Sequence, residues 1–123
     1  MSVPILKQGN ILIASVQSEL SDVDLIQLRD VLLERVGEHR VRGVIIDVTA
    51  LDVIDSFAAR TLSNTAQMVR LRGAETVIVG IQAEVAFSMI QLGLVLRGVT
   101  TALDLEEGLS ILAEAARAKN DSG

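Results

Sequence analysis

The chain contains no cysteine. That absence removes disulfides, thiol nucleophiles and thiolate metal sites together, and it excludes a small secreted scaffold held by disulfide bridges. Positive charge is also scarce: 11 Lys and Arg stand against 16 Asp and Glu, for a net charge of -5. A general affinity for nucleic acid or anionic lipid is therefore disfavoured. No apolar run approaches the roughly 18 residues of a membrane span, and the opening stretch MSVPILKQGN lacks the basic region, apolar stretch and cleavage site of a secretory signal. The expectation is a cytoplasmic protein with neither membrane nor nucleic acid among its partners. A single histidine, His39, and no cysteine leave little from which to build a transition-metal site, and no cofactor is implied. Aromatic residues make up only 2%, with Phe57 and Phe87 their sole members.

What is present suffices for a core. Half of the 123 residues are apolar, which fits one compact domain and leaves no room for two. The expected boundaries are 1–119 for the domain and 120–123 for a polar tail. Mean hydropathy is +0.46, high for so small a chain, so part of the apolar surface is expected to serve contacts with other chains, and self-association follows as an expectation.

Hydrophobic periodicity divides the chain into alternating strands and helices. Residues 3–7 and 10–16 read as two strands around a Gly9-Asn10 turn, a hairpin signal. A helix follows, with Ser21 as N-cap, Asp24 as its partner three residues on, Leu25, Leu28, Leu32 and Val36 along one face, and Gly37 as the expected stop. The β-branched run 41–48 suits a strand covered on both faces. Residues 56–72 place Ala58, Thr61, Leu62, Thr65 and Val69 on one helical face before Gly73. Residues 75–81 read as a further buried strand and 83–93 as a short helix closed by Gly93. The stretch GVTTAL allows a last short strand. A final helix begins at Asp104, paired reciprocally with Glu107, and carries Leu105, Leu109, Leu112 and Ala116. The order β-β-α-β-α-β-α-β-α predicts an α/β sandwich, with a mixed, mostly parallel sheet flanked by about four helices.

In such sheets functional groups gather beyond the carboxyl ends of the strands. There the sequence reads LDVIDSFAAR, with Asp55-Ser56 at a strand-to-helix junction. Most enzymatic readings of that serine fail. The one histidine falls in a helix-to-strand connection at the opposite end of the layout, so no base is at hand for a Ser-His-acid device. A nucleophile elbow wants glycines where this chain has Ile54 and Ala58. No GxxxxGK[ST] or GxGxxG is present to cradle phosphates. A phosphoacceptor receiver domain could use Asp47, but LIASVQ supplies no acidic pair and VTTALD no lysine. No catalytic residue is assigned, and the chain is not expected to be an enzyme. Ser56 is left either as a helix cap or as a substrate presented to another enzyme. Phe57 is either a core anchor or a partner contact. A small α/β ligand-binding or receiver-like module is the alternative function.

The order of elements, with the string VIIDVTALDVIDSFAARTL over residues 44–62, resembles a STAS domain, the fold of bacterial anti-sigma factor antagonists. Most antagonists follow their Asp-Ser pair with a small residue and a glycine. This chain has Phe57-Ala58-Ala59 instead, and DSFAAR is similar to the RsbS-like stressosome subunits. The resemblance covers nearly the whole chain. It implies that Ser56 is phosphorylated by an RsbT-type serine kinase, that the unmodified protein sequesters that kinase, and that RsbR-type STAS paralogues assemble with it. It further implies that Asp55 shapes the loop the kinase reads, with Ile54, Phe57 and Arg60 beside it in the partner-binding surface.

Overall fold

The structure, a computed structural model, describes residues 3–18 and 20–121. Its elements run β1 (Ile5–Gln8), β2 (Ile11–Ser15), α1 (Asp22–His39), β3 (Gly43–Asp47), α2 (Ser56–Leu71), β4 (Glu75–Val79), α3 (Ala83–Gln91), β5 (Thr100–Ala102) and α4 (Leu105–Asp121). This is the predicted order. The five strands form one sheet in the order β1-β2-β3-β4-β5. β1 and β2 are an antiparallel hairpin closed by Gly9-Asn10, with Gln8 opposite Ile11. Every later pair is parallel, with Leu12 beside Val44, Val44 beside Thr76, and Val77 beside Thr100.

Because strand order follows chain order and right-handed crossovers all turn the same way, α1, α2 and α3 cover one face of the sheet. The larger core lies there. Leu12, Ala14, Val44, Ile46 and Ile78 from alternate strand positions meet Leu25, Leu28, Leu32 and Val36 of α1 and Ala58, Leu62 and Val69 of α2. α4 alone covers the opposite face, where Leu112 packs with Ile13, Ile45, Val77 and Val79. Residues such as Leu32, Ile45, Ile46 and Ile78, all 0% exposed, each contribute about 1.5–3 kcal/mol on burial.

Helix starts agree with the sequence signals. Ser21 Oγ accepts from the Asp24 N–H at 3.1 Å while Asp24 Oδ2 accepts from the Ser21 N–H at 3.1 Å, a complete capping box. At α4 the Glu107 N–H donates to Asp104 Oδ1 at 2.9 Å, one half of the expected pair. Several ends shift by one or two residues from expectation, and two of these shifts have a local cause. α1 does not stop at Gly37 but continues to His39, and Arg40 turns the chain with φ 53. Gly37 is a packing glycine, since a Cβ there would fall on the Arg72 guanidinium. β4 stops at Val79 rather than at Ile81, because Gly80 takes φ 83 and turns the chain out of the sheet. The described residues carry α4 through Asp121; residues 122 and 123 of the expected tail lie outside them.

Candidate functional site

The loops leaving β3 and β4 lie side by side at the carboxyl end of the sheet and brace one another. Asp47 Oδ1 accepts from the Thr49 N–H at 2.9 Å and from the Thr49 hydroxyl at 2.6 Å, an Asx-type turn that redirects the chain as β3 ends. The Gln82 amide donates to the Thr49 carbonyl at 2.6 Å. Gly80 sits against Thr49 so closely that a side chain would displace it. The Val48 N–H donates to the Val79 carbonyl at 3.0 Å, which extends the sheet pairing one residue beyond β3.

The β3–α2 loop then runs over the core. Leu51 (6% exposed) and Ile54 (2%) insert into it, while Asp52 and Val53 face outward. This corrects the expected placement of Ile54. Its side chain anchors the loop from beneath and is not offered to a partner; the exposed apolar residue of the loop is Val53, at 63%.

Asp55 is the N-cap of α2. Its backbone is extended, its Oδ1 accepts from the Ala58 N–H at 2.8 Å, and its carbonyl accepts the first helical bond from the Ala59 N–H at 2.9 Å. The capping role thus belongs to Asp55, which frees Ser56. Ser56 is the first residue of α2, is exposed, and its hydroxyl bonds to none of the described residues. Arg60 is exposed four residues on, on the same helical face. Phe57 is half-buried and packs against the large core. The structure therefore brings Asp55, Ser56 and Arg60 together at the surface, holds Phe57 at its margin, and withdraws Ile54. Thr61 and Ser63, the next hydroxyls of α2, are buried at 8% and 6%. Ser63 is also engaged, accepting from the Arg97 N–H at 3.0 Å and so fixing the loop that enters β5.

Sequence reasoning missed the Thr49–Gly80–Gln82 brace. The visible signal was a glycine directly after an apolar strand run, a common mark of a turn or close backbone approach. His39 ends α1, beyond the amino end of β3 and at the far end of the sheet from Ser56. Among the described residues no helix is long and apolar enough to cross a membrane.

Comparison with known proteins follows the same outline. Residues 2–108 match the STAS domain family. The RsbT co-antagonist protein RsbRA of Bacillus subtilis (strain 168) is 35% identical over 83 residues, which are 68% of this chain and 30% of that protein. RsbRC of the same organism is 27% identical over 84 residues, again 30% of its length. The chain thus matches only about a third of these longer relatives. Among solved structures, a Ser-to-Glu variant of Moorella thermoacetica RsbS superposes with a TM-score of 0.80 at 36% identity, covering 94% of this chain and 97% of that one. A chain from the structure of the stressosome, a signal integration and transduction hub, gives 0.77 at 37% identity over 93% and 99%. The unphosphorylated anti-sigma factor antagonist SpoIIAA shares the fold at 14% identity, with a TM-score of 0.72.

Proposed function

The chain belongs to the STAS domain family, and from that premise we propose that it is a non-catalytic stressosome subunit which sequesters an RsbT-type serine kinase and releases it when Ser56 is phosphorylated. The observation that carries this reading is the free, exposed hydroxyl of Ser56 at the first position of α2, with the capping work done by its neighbour Asp55. A protein substrate needs an acceptor that a kinase can reach without unfolding the helix, and this geometry supplies one.

Phosphorylation would add about 1.5–2 negative charges and three strong acceptors at the N-terminus of a sixteen-residue helix, where dipole and free N–H groups accommodate an anion. The fold survives while the surface changes. The new phosphate would sit next to Asp55, and Arg60 at i+4 is placed to pair with it. A kinase docked across Asp55, the exposed edge of Phe57 and Arg60 then meets repulsion and loses a cation. Each 1.4 kcal/mol of that penalty lowers affinity about tenfold.

Assembly with RsbR-type paralogues and with further copies of the chain draws support from α3 and the turn after it, where Phe87 (65%), Ile90 (79%) and Leu92 (65%) are exposed. Large apolar residues grouped in this way mark contact surfaces more often than free ones. Such an assembly would work in the cytoplasm.

The test is intact-mass measurement after incubation with an RsbT-type kinase and ATP. One added phosphate is expected on the wild-type chain and none on Ser56→Ala. Equal uptake by the variant would refute the assignment.

A further inference from the structure

We propose that a second site, at the opposite end of the sheet from Ser56, binds a small phosphorylated anion. Arg40 at the end of α1, Arg42 just before β3, and Arg72 at the end of α2 line one open cavity of about 500 Å³, with Val36, Val41 and Gly73 forming its apolar walls. Three arginines from three segments line one concavity in a chain whose net charge is -5.

Helix ends commonly attract basic residues, since cations complement the dipole and cap free carbonyls. That account is insufficient here. None of the three guanidiniums donates a hydrogen bond to a carbonyl or forms an ion pair among the described residues, whereas neighbouring Arg70 does both, to the Gly98 carbonyl of the turn before β5 and to Glu75, each at 3.3 Å. Arg42, moreover, precedes a strand.

Two backbone features accommodate the cluster. Gly37 leaves the gap in which the Arg72 guanidinium rests. Arg40 adopts φ 53, the one positive φ outside glycine among the described residues, at a position where glycine or asparagine would be the unstrained choice. The carboxylate of Glu75, at the start of β4, is already paired with Arg70.

Planar guanidiniums with free N–H donors match phosphate oxygens in bidentate geometry, and three of them match an anion of more than one charge. The cavity continues through Arg42 and Gly73 into a groove of about 920 Å³ beneath α4, walled by Leu112, Ala113 and Ala116. Each has a volume within the range of small-molecule sites, about 300–1,000 Å³, and the groove leaves room for an organic body beside the phosphates. The site shares no residue with the Ser56 surface and does not depend on the function proposed for it.

Titration calorimetry of the full chain with inorganic tripolyphosphate, read together with amide shifts, tests this. One saturable site is expected, weakening with salt, with shifts centred on Gly37, Val41 and Gly73. Arg72→Gln and Arg42→Gln should each lower affinity at least tenfold, and Arg117→Gln, which removes the same charge from α4, outside the cluster, less than twofold. Gly37→Ala keeps every charge and suits a helix, yet it displaces the Arg72 guanidinium, so it should also lower affinity severalfold with the melting temperature unchanged or raised. Absence of saturable binding, equal weakening by Arg117→Gln, or unchanged affinity in Gly37→Ala would overturn the proposal. So would a phosphoserine peptide copying residues 52–60 that bound as tightly as tripolyphosphate, since the site would then read protein rather than a small molecule.

Discussion

The two ends of the parallel sheet obey the same electrostatics and put it to opposite use. At the carboxyl ends of the strands the helices begin, and Asp22, Asp24, Asp55, Glu84, Glu106 and Glu107 occupy their caps and first turns. At the amino ends the helices finish, and Arg40, Arg70, Arg72 and Lys119 gather. The helix macrodipole favours both arrangements. The consequence for an added anion differs. At the acidic end a covalent phosphate is tolerated by the helix that carries it but resisted by any acidic or close-packed partner, which makes Ser56 suitable for a release switch. At the basic end a free anion would meet Arg40, Arg42 and Arg72, which form no ion pair among the described residues, and that favours capture.

The same substitution made at each end should separate them. Gly80→Ala is expected to have the largest effect, a loss of about 1–3 kcal/mol, because φ 83 is strained for alanine and the new methyl group must displace Thr49 from its bonds to Asp47. Denaturant unfolding measures the loss, and slower phosphate uptake at Ser56 should accompany it as the loop brace loosens.

Asp55→Ala comes next. It removes the bond to the Ala58 N–H and should cost about 1 kcal/mol, with the exposed hydroxyl of Ser56 still in place. A loss below a few tenths of a kcal/mol would mean that Ser56 takes over the cap, and would weaken the division of labour between the two residues.

At the opposite end, Gly37→Ala should stabilise the chain by up to about 1 kcal/mol, since alanine is the better helix former and the obstacle is the tip of an arginine rather than backbone. Opposite signs for Gly80→Ala and Gly37→Ala would sharpen the contrast; matching losses would break it.

The smallest effect concerns acid. The hydrogen bond from the Ser21 N–H is the main influence holding the Asp24 carboxyl below its usual pKa. A group lowered in the folded state stabilises the fold above its unfolded pKa and loses that contribution as pH falls through its folded value. Melting of the wild-type chain should therefore decline slightly more steeply below about pH 4 than that of Asp24→Asn, and identical acid limbs would contradict the capping box.

Much of this arrangement was legible in the sequence, for identifiable reasons. Ser21 with Asp24, and the Gly9-Asn10 turn, are local devices whose geometry is set by residues two or three apart. The face of α2 was legible because helical spacing alone places Ala58, Thr61, Leu62, Thr65 and Val69 together, and all five are buried. Adjacent residues of an irregular loop carry no such period. Nothing in DVIDS distinguishes Ile54, which goes inward, from Val53, which stays out. Gly37 reads as a stop because glycine often ends helices, yet its role depends on Arg72, thirty-five positions away and brought beside it by the packing of α1 on α2. The arginine cavity is invisible in sequence for the same reason: its three guanidiniums come from separate segments that only the fold unites. Asp55 and Ser56 could be singled out in advance, but which of them caps the helix rests on a one-residue difference in where α2 begins.

A phosphate on Ser56 should change what the carboxyl end of the sheet can hold. Calorimetric titration of an RsbT-type kinase into the protein, before and after stoichiometric phosphorylation, measures that change. The account predicts at least a tenfold fall in affinity on phosphorylation, with Ser56→Asp in between because aspartate carries one charge where phosphoserine carries nearly two. Equal affinity of the phosphorylated and unmodified forms for the kinase would contradict it.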